Sequence, residues 1–471
     1  DSAVLDEFQV ALALSTLAKG QAKDAAVWKP YIARAFQVVR RATSKDVAMV
    51  LRACSFAPFN TRELVRAYMD QARAVLPNST FRDLTVFAKS AAKLGIADEG
   101  FLQDLVVEVS RKTRKARARD VAGVTKALVD LRVADKGLLN HVIRPTLITG
   151  AGGLRAMDVA KVASAYATMG VRDEAVFKAL AARAQALAPF LDVQALPIIA
   201  NAFVRVQIIE GPLFEALALR VPEIVRSLNP QGVAMVLHAF GKHPVTGSEA
   251  AIGAVCAHLP RVAHRLSPQG LALAVNALAR SGLGARSSDL VELLVGQLLE
   301  RGTEGFEARQ LCTIAVALDQ IQTDGDLDGR WQPGIAACVD SLTARGAAVG
   351  EPEMLAVLGV MDAAARHQFI RANDVYFREA MGDWSGPGVA TLLEVLHSCD
   401  GGSPEALEAI IAQMKATSWE AGPRVCAAAL HAFLLTGHRE QELVDAALEA
   451  ALRVGADPRA GVGREAGPAV K

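Results

Sequence analysis

Aromatic residues are scarce in this 471-residue chain: Phe, Tyr and Trp make up only 5% of it, although hydrophobic residues make up 52%. The apolar content is mostly Ala, Leu and Val, which suits helices that pack closely through small side chains. A strand-rich fold is therefore not expected. The length exceeds what one hydrophobic core usually organises, so we expect either several domains or an array of repeats.

Cysteine is also sparse, and long apolar runs are missing. The six cysteines stand far apart without a CxxC pair, so we predict neither a zinc site nor a disulfide framework, and we expect a reducing compartment. Charge-free stretches such as 193–204 and 425–437 fall short of the roughly 18 to 20 apolar residues that cross a bilayer, so no membrane span is expected. The chain begins at Asp1 without a methionine, so we expect a leader that is either removed or outside this sequence, and no targeting signal can be read.

Motifs of the common enzyme classes are missing as well. No HExxH, Walker or nucleophile-elbow pattern occurs, and residues 150–153 (GAGG) lack the GxGxxG spacing of a nucleotide loop. We interpret that segment as a turn between repeats. His258, His264 and Arg265 have no carboxylate partner at metal-ligand spacing and are predicted to lie at the surface. We therefore expect no enzymatic activity, no cofactor and no metal.

The formal net charge is only +1, but charge is distributed unevenly along the chain. Residues 1–150 hold 24 Lys and Arg against 15 Asp and Glu, a balance of +9, and residues 151–300 hold 13 against 11, or +2. The remaining residues hold 14 against 24, or −10. A polyanion would be attracted to the first third and repelled by the last.

An internal repeat is clearest in two turns that lie 38 residues apart. The segments LNPQGV at 228–233 and LSPQGL at 266–271 each precede an apolar helix pattern. Asn229 and Ser267 are predicted N-caps, whose side-chain oxygens accept hydrogen bonds from free backbone N–H groups. Pro230 and Pro268 then occupy the first helical position, where no N–H is needed.

Taking Val233 and Leu271 as reference positions extends this repeat along the chain. Equivalent residues recur every 35 to 43 residues, most often every 37 or 38: Val10, Val47, Leu84, Val121, Val159, Leu196, Val233, Leu271, Leu311, Met354, Val389 and Cys426. Apolar residues follow at +3, +4 and +7, which indicates one face of an α-helix, and position +6 is small in ten of the twelve units. A second helix follows each first helix, as at 215–228 and 288–300, so one repeat is a helical hairpin.

The predicted fold is therefore all-α, an α-solenoid of about twelve helix-turn-helix repeats of 37 to 38 residues. We predict three parts: regular basic-to-neutral repeats over 1–306, less regular acidic repeats over 307–454, and a flexible tail over 455–471. The irregular gaps coincide with loop-like segments at 323–334 and 382–388.

Positions +5 and +9 of each first helix point away from its apolar stripe, and in an α-solenoid this side lines the concave surface. We call these side chains the inner row. In the first eight units the inner row is polar and largely basic: Ser15/Lys19, Arg52/Phe56, Lys89/Lys93, Lys126/Asp130, Ser164/Thr168, Asn201/Arg205, His238/Lys242 and Asn276/Arg280. In the last four units it is not: Val316/Gln320, Gly359/Ala363, Glu394/Ser398 and His431/Leu435. The basic side chains could neutralise phosphates and the others could hydrogen-bond unpaired bases; the alternative is a merely solvated helix face.

The densest basic segment is RKTRKARAR at 111–119, between the third and fourth units. We expect it to contact phosphates, because release of counterions from several phosphates gives affinity that is independent of base sequence. A solubilising loop between repeats is the alternative. The predicted RNA-binding residues are Arg52, Lys89, Lys93, Arg111, Lys112, Arg114, Lys115, Arg117, Arg119, Lys126, Asn201, Arg205, His238, Lys242, Asn276 and Arg280.

The helical hairpin resembles the heptatricopeptide repeats of organellar proteins over nearly the whole chain. The resemblance is carried by the Leu-Ser/Asn-Pro-Gln-Gly-Leu/Val turn and by the helix that follows it, as in ALAVNALA at 272–279. The hairpin is also similar to octotricopeptide repeats and to the helical regions of FAST-kinase-like and RAP-domain proteins, although no RAP domain is visible. The resemblance implies an RNA-binding protein of the mitochondrial matrix, foremost a structural rRNA-binding subunit of the mitochondrial ribosome.

On this interpretation the N-terminal two thirds bind single-stranded or ribosomal RNA, and the acidic C-terminal third contacts other proteins of the assembly. Two alternatives remain open. One is a protein–protein scaffold in an organellar complex, and the other is a free factor that processes or stabilises organellar RNA. Salt-dependent binding to single-stranded RNA distinguishes the scaffold from the RNA-binding proteins.

Overall fold

The computed structural model of the chain describes residues 4–326, 329–345, 349–373 and 375–377, together with Trp384, Gly388 and Leu392. Every regular element among these residues is a helix. The chain divides into two compact units, Asp1–His258 and Leu259–Lys471. The repeats predicted at Val389 and Cys426, with their inner-row pairs and the tail at 455–471, lie outside the described residues. The predicted boundary at residue 306 is not tested by this division and stays a prediction.

The first unit consists of helical hairpins in which a first helix alternates with a second helix. Its helices are α1 (Glu7–Lys19), α2 (Ala25–Val38), α3 (Ser44–Cys54), α4 (Arg62–Val75), α5 (Phe81–Leu94), α6 (Glu99–Lys112), α7 (Ala118–Asp130), α8 (Arg144–Gly150), α9 (Ala156–Thr168), α10 (Glu174–Leu187), α11 (Ala195–Arg205), α12 (Gly211–Ile224), α13 (Pro230–Lys242) and α14 (Ser248–Val262), which crosses the division between the units. The odd-numbered helices pack side by side in chain order, and α2, α4 and α6 pack likewise, as do α8, α10 and α12. Two layers of helices result.

The second unit repeats this arrangement in the part of it that the structure describes. Its helices are α15 (Pro268–Arg280), α16 (Leu283–Arg286), α17 (Ser288–Arg301), α18 (Ala308–Asp324), α19 (Gln332–Arg345), α20 (Glu351–Val360) and α21 (Ala363–Ala372). Helices α15, α18 and α20 pack in one layer and α17, α19 and α21 in another. The predicted all-α solenoid of helical hairpins is thus confirmed.

The turns that open the first helices have the predicted caps. Asn229 Oδ1 accepts a hydrogen bond from the Gly232 backbone N–H at 2.7 Å, and Ser267 Oγ accepts one from Gly270 at 3.1 Å. Helices α13 and α15 begin at Pro230 and Pro268, as predicted. Each cap satisfies a backbone donor that the first helical turn leaves without a partner, so the start of these helices is encoded locally.

The apolar stripe of the first helices is buried as its period predicts. In α9, for example, Val159, Val162, Ala163 and Tyr166 are fully buried. Eight of the ten small residues at +6 are buried as well, and they lie where neighbouring first helices pack together: Ala53, Ser90, Ala127, Ala165, Ala202, Ala239, Ala277 and Ala317. Thr16 in the first repeat is exposed, and Ala432 lies outside the described residues. Small side chains at these positions allow the close approach of adjacent helices.

A continuous ladder of aromatic rings runs through the core of the first unit. First and second helices contribute alternate rings, with centroid separations of 6.4, 4.9, 6.5 and 6.0 Å and edge-to-face geometry. The rings, all fully buried, are Tyr166, Phe177, Phe203, Phe214 and Phe240. Edge-to-face pairs of this kind add to the stabilisation from buried area, so three successive repeats share one core.

A side chain on the second helix of most repeats binds the backbone carbonyl that precedes the first helix. Arg34 Nε donates to Leu5 O at 2.8 Å, and Arg183 Nε donates to Leu154 O at the same distance. Equivalent bonds, which we call clamps, are Gln71 to Ala42, Lys112 to Ser79, Arg220 to Leu191, Arg301 to Leu266 and Arg345 to Phe306. The acceptor always lies five residues before the reference position. Each clamp therefore joins the two ends of one hairpin.

Removing one clamp should destabilise its repeat. We expect Arg183→Ala to lower the free energy of unfolding by about 1 to 2 kcal/mol, because a half-buried carbonyl loses a charged donor. Urea denaturation followed by circular dichroism measures this change. Arg172→Ala is the control, since its ion pair with Glu174 is exposed and is expected to contribute less than about 1 kcal/mol. Equal destabilisation by both substitutions would contradict the assigned role of the clamp.

Other predicted features have mixed outcomes. Residues 150–153 do form a turn between repeats, since α8 ends at Gly150 and a 3-10 turn follows. The loop predicted at 323–334 is shorter than expected, because α18 continues to Asp324 and α19 begins at Gln332. The prediction that His258 lies at the surface is wrong: it is 9% exposed, on the face of α14 that buries Val255 and Leu259. No described helix has the length and apolarity needed to span a bilayer.

Candidate nucleic-acid interface

The solvent-exposed stripe of the first helices includes the described inner row except Ser15, which is buried, and continues towards the N-terminal end of each helix. Positions −2, +2, +5 and +9 are spaced as i, i+4, i+7 and i+11, so they share one helix face. Among the predicted residues, Arg52, Lys89, Lys93, Arg205 and Arg280 are exposed. Half-buried positions are Lys126, Asn201, His238, Lys242 and Asn276.

Adjacent first helices enclose a cleft between α3 and α5. The cleft has a volume of about 290 Å³. It is lined by Arg52, Ser55, Phe56, Val86, Lys89, Ser90 and Lys93. Three cations from two helices therefore converge on one small volume. The repeat period of 37 residues brings them together because α3 and α5 pack side by side.

Two further clefts continue this one along the first-helix layer. One, between α5, α7 and α9, has a volume of about 560 Å³ and includes Lys89, Lys93, Lys126 and Lys161. The other, between α1, α3 and α5, has a volume of about 470 Å³. It includes Lys19, Lys45, Arg52 and Arg82. We call the three clefts together the cation groove, because the α3–α5 cleft shares Lys89 and Lys93 with the first of these two and Arg52 with the second. Eight Lys and Arg side chains line the three clefts.

Most cations of the groove lack a compensating charge. Arg52, Lys89, Lys93 and Lys161 form no ion pair with any carboxylate among the residues that the structure describes. Although Lys89 is exposed as a residue, desolvation of its ammonium group by the surrounding protein lowers the pKa below the ordinary lysine value. The positive charges of Lys161 and Arg52 lower this pKa further, although two nearby carboxylates oppose them. An anion bound in the groove would relieve this repulsion.

Two predicted cations of helix α7 are neutralised instead. Lys126 pairs with Asp130 one turn later on the same helix. Arg119 lies 3.6 Å from Asp158 across the α7–α9 junction. These ion pairs reduce the net charge at the α7 end of the groove, so the uncompensated charge is concentrated around Lys89.

Four cations of the groove were not among the predicted RNA-binding residues. One of them, Lys19, belongs to the inner row but was not predicted to bind RNA. Lys45 and Arg82 occupy position −2 of their first helices, and Lys161 occupies position +2. The signal for them is present in the sequence, since −2 and +2 lie seven residues, or two helical turns, before +5 and +9. An inner row limited to +5 and +9 omits the N-terminal half of the stripe.

Gly123 leaves space for the end of the Lys89 side chain. It occupies position +2 of α7, where a Cβ would lie 2.8 Å from Lys89 Nζ and 3.2 Å from Thr85 Cγ2. Any other residue at this position would displace the ammonium group or crowd the threonine. The absence of a side chain at one position thus determines where a cation on the neighbouring helix lies.

The basic segment at 111–119 has two kinds of residue. Lys112 Nζ donates to Ser79 O at 2.7 Å and Pro77 O at 2.9 Å, and Arg111 pairs with Glu108 at 2.7 Å. Lys112 provides the clamp of this repeat, because Glu108 stands at the position that Arg34, Gln71, Arg183 and Arg220 occupy in four other repeats. Exposed cations without an ion pair in the described part of the chain are Arg114, Lys115 and Arg117.

Comparisons with known proteins locate a family resemblance in the middle of the chain. A family model described as RNA-editing substrate-binding complex 6 protein matches residues 119–324, from α7 to the end of α18. A comparison with curated proteins finds no match.

Two solved structures are similar to the chain over most of its length. One is "Homology model of the full-length AP-3 complex in an intermediate open conformation", with 9% identity, a TM-score of 0.33, and coverage of 96% of this chain and 94% of that chain. The other is "Circular tandem repeat protein with novel repeat topology and enhanced subunit contact surfaces", with 13% identity, a TM-score of 0.17, and coverage of 96% and 95%. Both superpositions are too loose to relate the folds in detail.

Proposed function

We propose that this chain is a helical-repeat RNA-binding subunit of an assembly of the RNA-editing substrate-binding type. The observation that carries the proposal is the cation groove, in which Arg52, Lys89, Lys93 and Lys161 lie without carboxylate partners in the described residues. A flexible polyanion can follow such a groove and neutralise several cations at once. The family model that matches residues 119–324 supports RNA as that polyanion.

This proposal differs from the sequence-based expectation in the assembly it names. The family model that matches residues 119–324 is described as an RNA-editing complex protein, so we prefer an editing-type assembly to the mitochondrial ribosome. A mitochondrial location, contacts of the acidic C-terminal third with partner proteins, and a binding role without catalysis remain part of the proposal. They rest on the repeat resemblance and on the charge distribution of the chain.

The salt dependence of binding tests the proposal. If four groove cations each neutralise one phosphate, the slope of log affinity against log salt is about −3 for a single strand. Affinity for a fluorescent single-stranded RNA should then fall roughly 50-fold between 50 and 200 mM salt, as measured by anisotropy. Poly-glutamate of equal charge is the competitor. Absence of RNA binding at 50 mM salt, or equally tight binding of poly-glutamate, would favour a scaffold for acidic proteins instead.

A glycine substitution separates the groove from the stability of the fold. We expect Gly123→Ala to weaken RNA binding several-fold, on the order of 1 kcal/mol, because the new methyl group displaces Lys89 Nζ. The same change raises helix propensity by up to about 1 kcal/mol, which offsets the crowding of Thr85 Cγ2, so the free energy of unfolding should change little. The control is Gly253→Ala in α14, where a Cβ meets no atom within 4 Å. Reduced binding by both variants, or by neither, would contradict the proposed position of Lys89.

A further inference from the structure

Phe56 is an exposed aromatic residue of the groove, whereas most other aromatic rings in the described part of the chain are buried. Phe56 occupies position +9 of α3's repeat, lines the α3–α5 cleft and is 55% exposed. A solvent-exposed phenyl ring is unfavourable by itself, because apolar surface remains in contact with water. Its place among three cations gives the cleft both an apolar platform and positive charge.

Phe56 also supports a cation without neutralising it. Lys93 Nζ lies 3.2 Å from the centroid of the Phe56 ring, and Lys93 belongs to the next repeat at the same +9 position. A cation–π contact orients an ammonium group and leaves its full charge available, whereas a carboxylate partner would cancel it. The ring and the three cations therefore present an apolar surface and uncompensated positive charge in the same cleft.

The same combination occurs one repeat earlier. Lys45 Nζ lies 5.0 Å from the centroid of the Phe8 ring, and both residues occupy position −2 of consecutive repeats. Phe8 is 43% exposed. An exposed ring therefore contacts a lysine of the next repeat at both ends of the stripe. At the N-terminal end the contact joins α1 to α3, and at the C-terminal end it joins the residues after α3 to α5.

We infer that the α3–α5 cleft binds one unpaired nucleotide, whose base stacks on Phe56 in place of Lys93 Nζ. Lys93 then turns, together with Arg52 and Lys89, to the phosphates on either side of this nucleotide. This inference rests on the proposed function and names its substrate class as single-stranded RNA with unstacked bases. Every base has a π-face, so a phenyl platform accepts any base. In a duplex both faces of a base are already stacked, and the platform then contributes nothing.

The test compares two probes of equal charge. One is a single-stranded oligouridine 12-mer, and the other is a 12-mer of the same backbone with abasic sites at every position. We expect the protein to bind oligouridine more tightly by roughly 5- to 100-fold, the range for stacking of one base. Phe56→Leu should bring this ratio close to one, whereas Phe56→Trp should preserve it. Phe36→Leu is the matched control, because Phe36 is an exposed ring on the second helix α2.

The ratio of the two affinities separates stacking from other effects. An unchanged ratio in Phe56→Leu overturns the inference, even if this variant binds both probes more weakly because Lys93 has lost its support. Equal affinity of the unaltered protein for both probes also overturns it, but leaves phosphate binding and the proposed function intact. If neither probe binds at 50 mM salt, the proposed function itself fails. Thermal melting of each variant verifies that it is folded.

Discussion

Replacing Arg52, Lys89 and Lys93 together by alanine is expected to lower the affinity for single-stranded RNA roughly 100-fold at low salt. The three side chains line one cleft, and none of them has a carboxylate partner among the described residues. Each contributes on the order of 1 kcal/mol to binding a phosphate, so their combined loss corresponds to about 3 kcal/mol. The salt slope should fall in magnitude by about 2, since three fewer counterions are released.

A variant of equal charge on the other layer of helices is the control for this result. Lys29, Arg66 and Lys178 are exposed on α2, α4 and α10, and their joint replacement by alanine removes the same three charges. We expect this variant to lose less than about 5-fold in affinity, because only the long-range field of the protein changes. Similar losses in both variants would show that RNA binding depends on total charge and not on the groove.

Phe203→Ala is expected to produce the largest loss of stability. The ring is fully buried, with its centroid 4.9 Å from that of Phe177 and 6.5 Å from that of Phe214. Its removal leaves a cavity and ends two edge-to-face contacts, which should cost about 3 to 5 kcal/mol. Denaturation in urea should show a lower midpoint, and hydrogen exchange should increase first in α10 to α12.

The control for this substitution lies in the same repeats. Phe190 is 78% exposed in the turn after α10, and Phe190→Ala should change stability by no more than about 0.5 kcal/mol. The loss of stability in Phe203→Leu, which removes less volume than Phe203→Ala, should lie between the losses of these two variants. If Phe203→Ala unfolds at the same urea concentration as the unaltered protein, the ladder does not stabilise these repeats.

The repeat and its helices could be predicted from sequence because their determinants are local. The caps at Asn229 and Ser267 depend on a side chain and an N–H group three residues away, and the buried stripe follows from the helical period. The clamp at Arg183 could not be predicted, because it joins residues 29 positions apart. Its acceptor is a backbone carbonyl, which every residue possesses.

The groove was predictable in part. The inner row correctly places Arg52, Lys89 and Lys93 on the exposed faces of α3 and α5, since +5 and +9 lie opposite the apolar stripe. Its restriction to two positions omitted Lys45 and Lys161, which lie two turns earlier on the same face. Sequence analysis also could not distinguish cations that remain uncompensated from those that pair across helices.

The sequence by itself determined the all-helical hairpins, their period and the side of each first helix that remains exposed, because these depend on interactions within one or two helical turns. Only the tertiary structure decided which cations remain available. Arg119 pairs with a carboxylate on the next first helix, and Lys112 closes its own hairpin, whereas Lys89 projects into the space that Gly123 leaves. Charge pairing depends on distance in space, and the distance between helices is set by how the repeats pack.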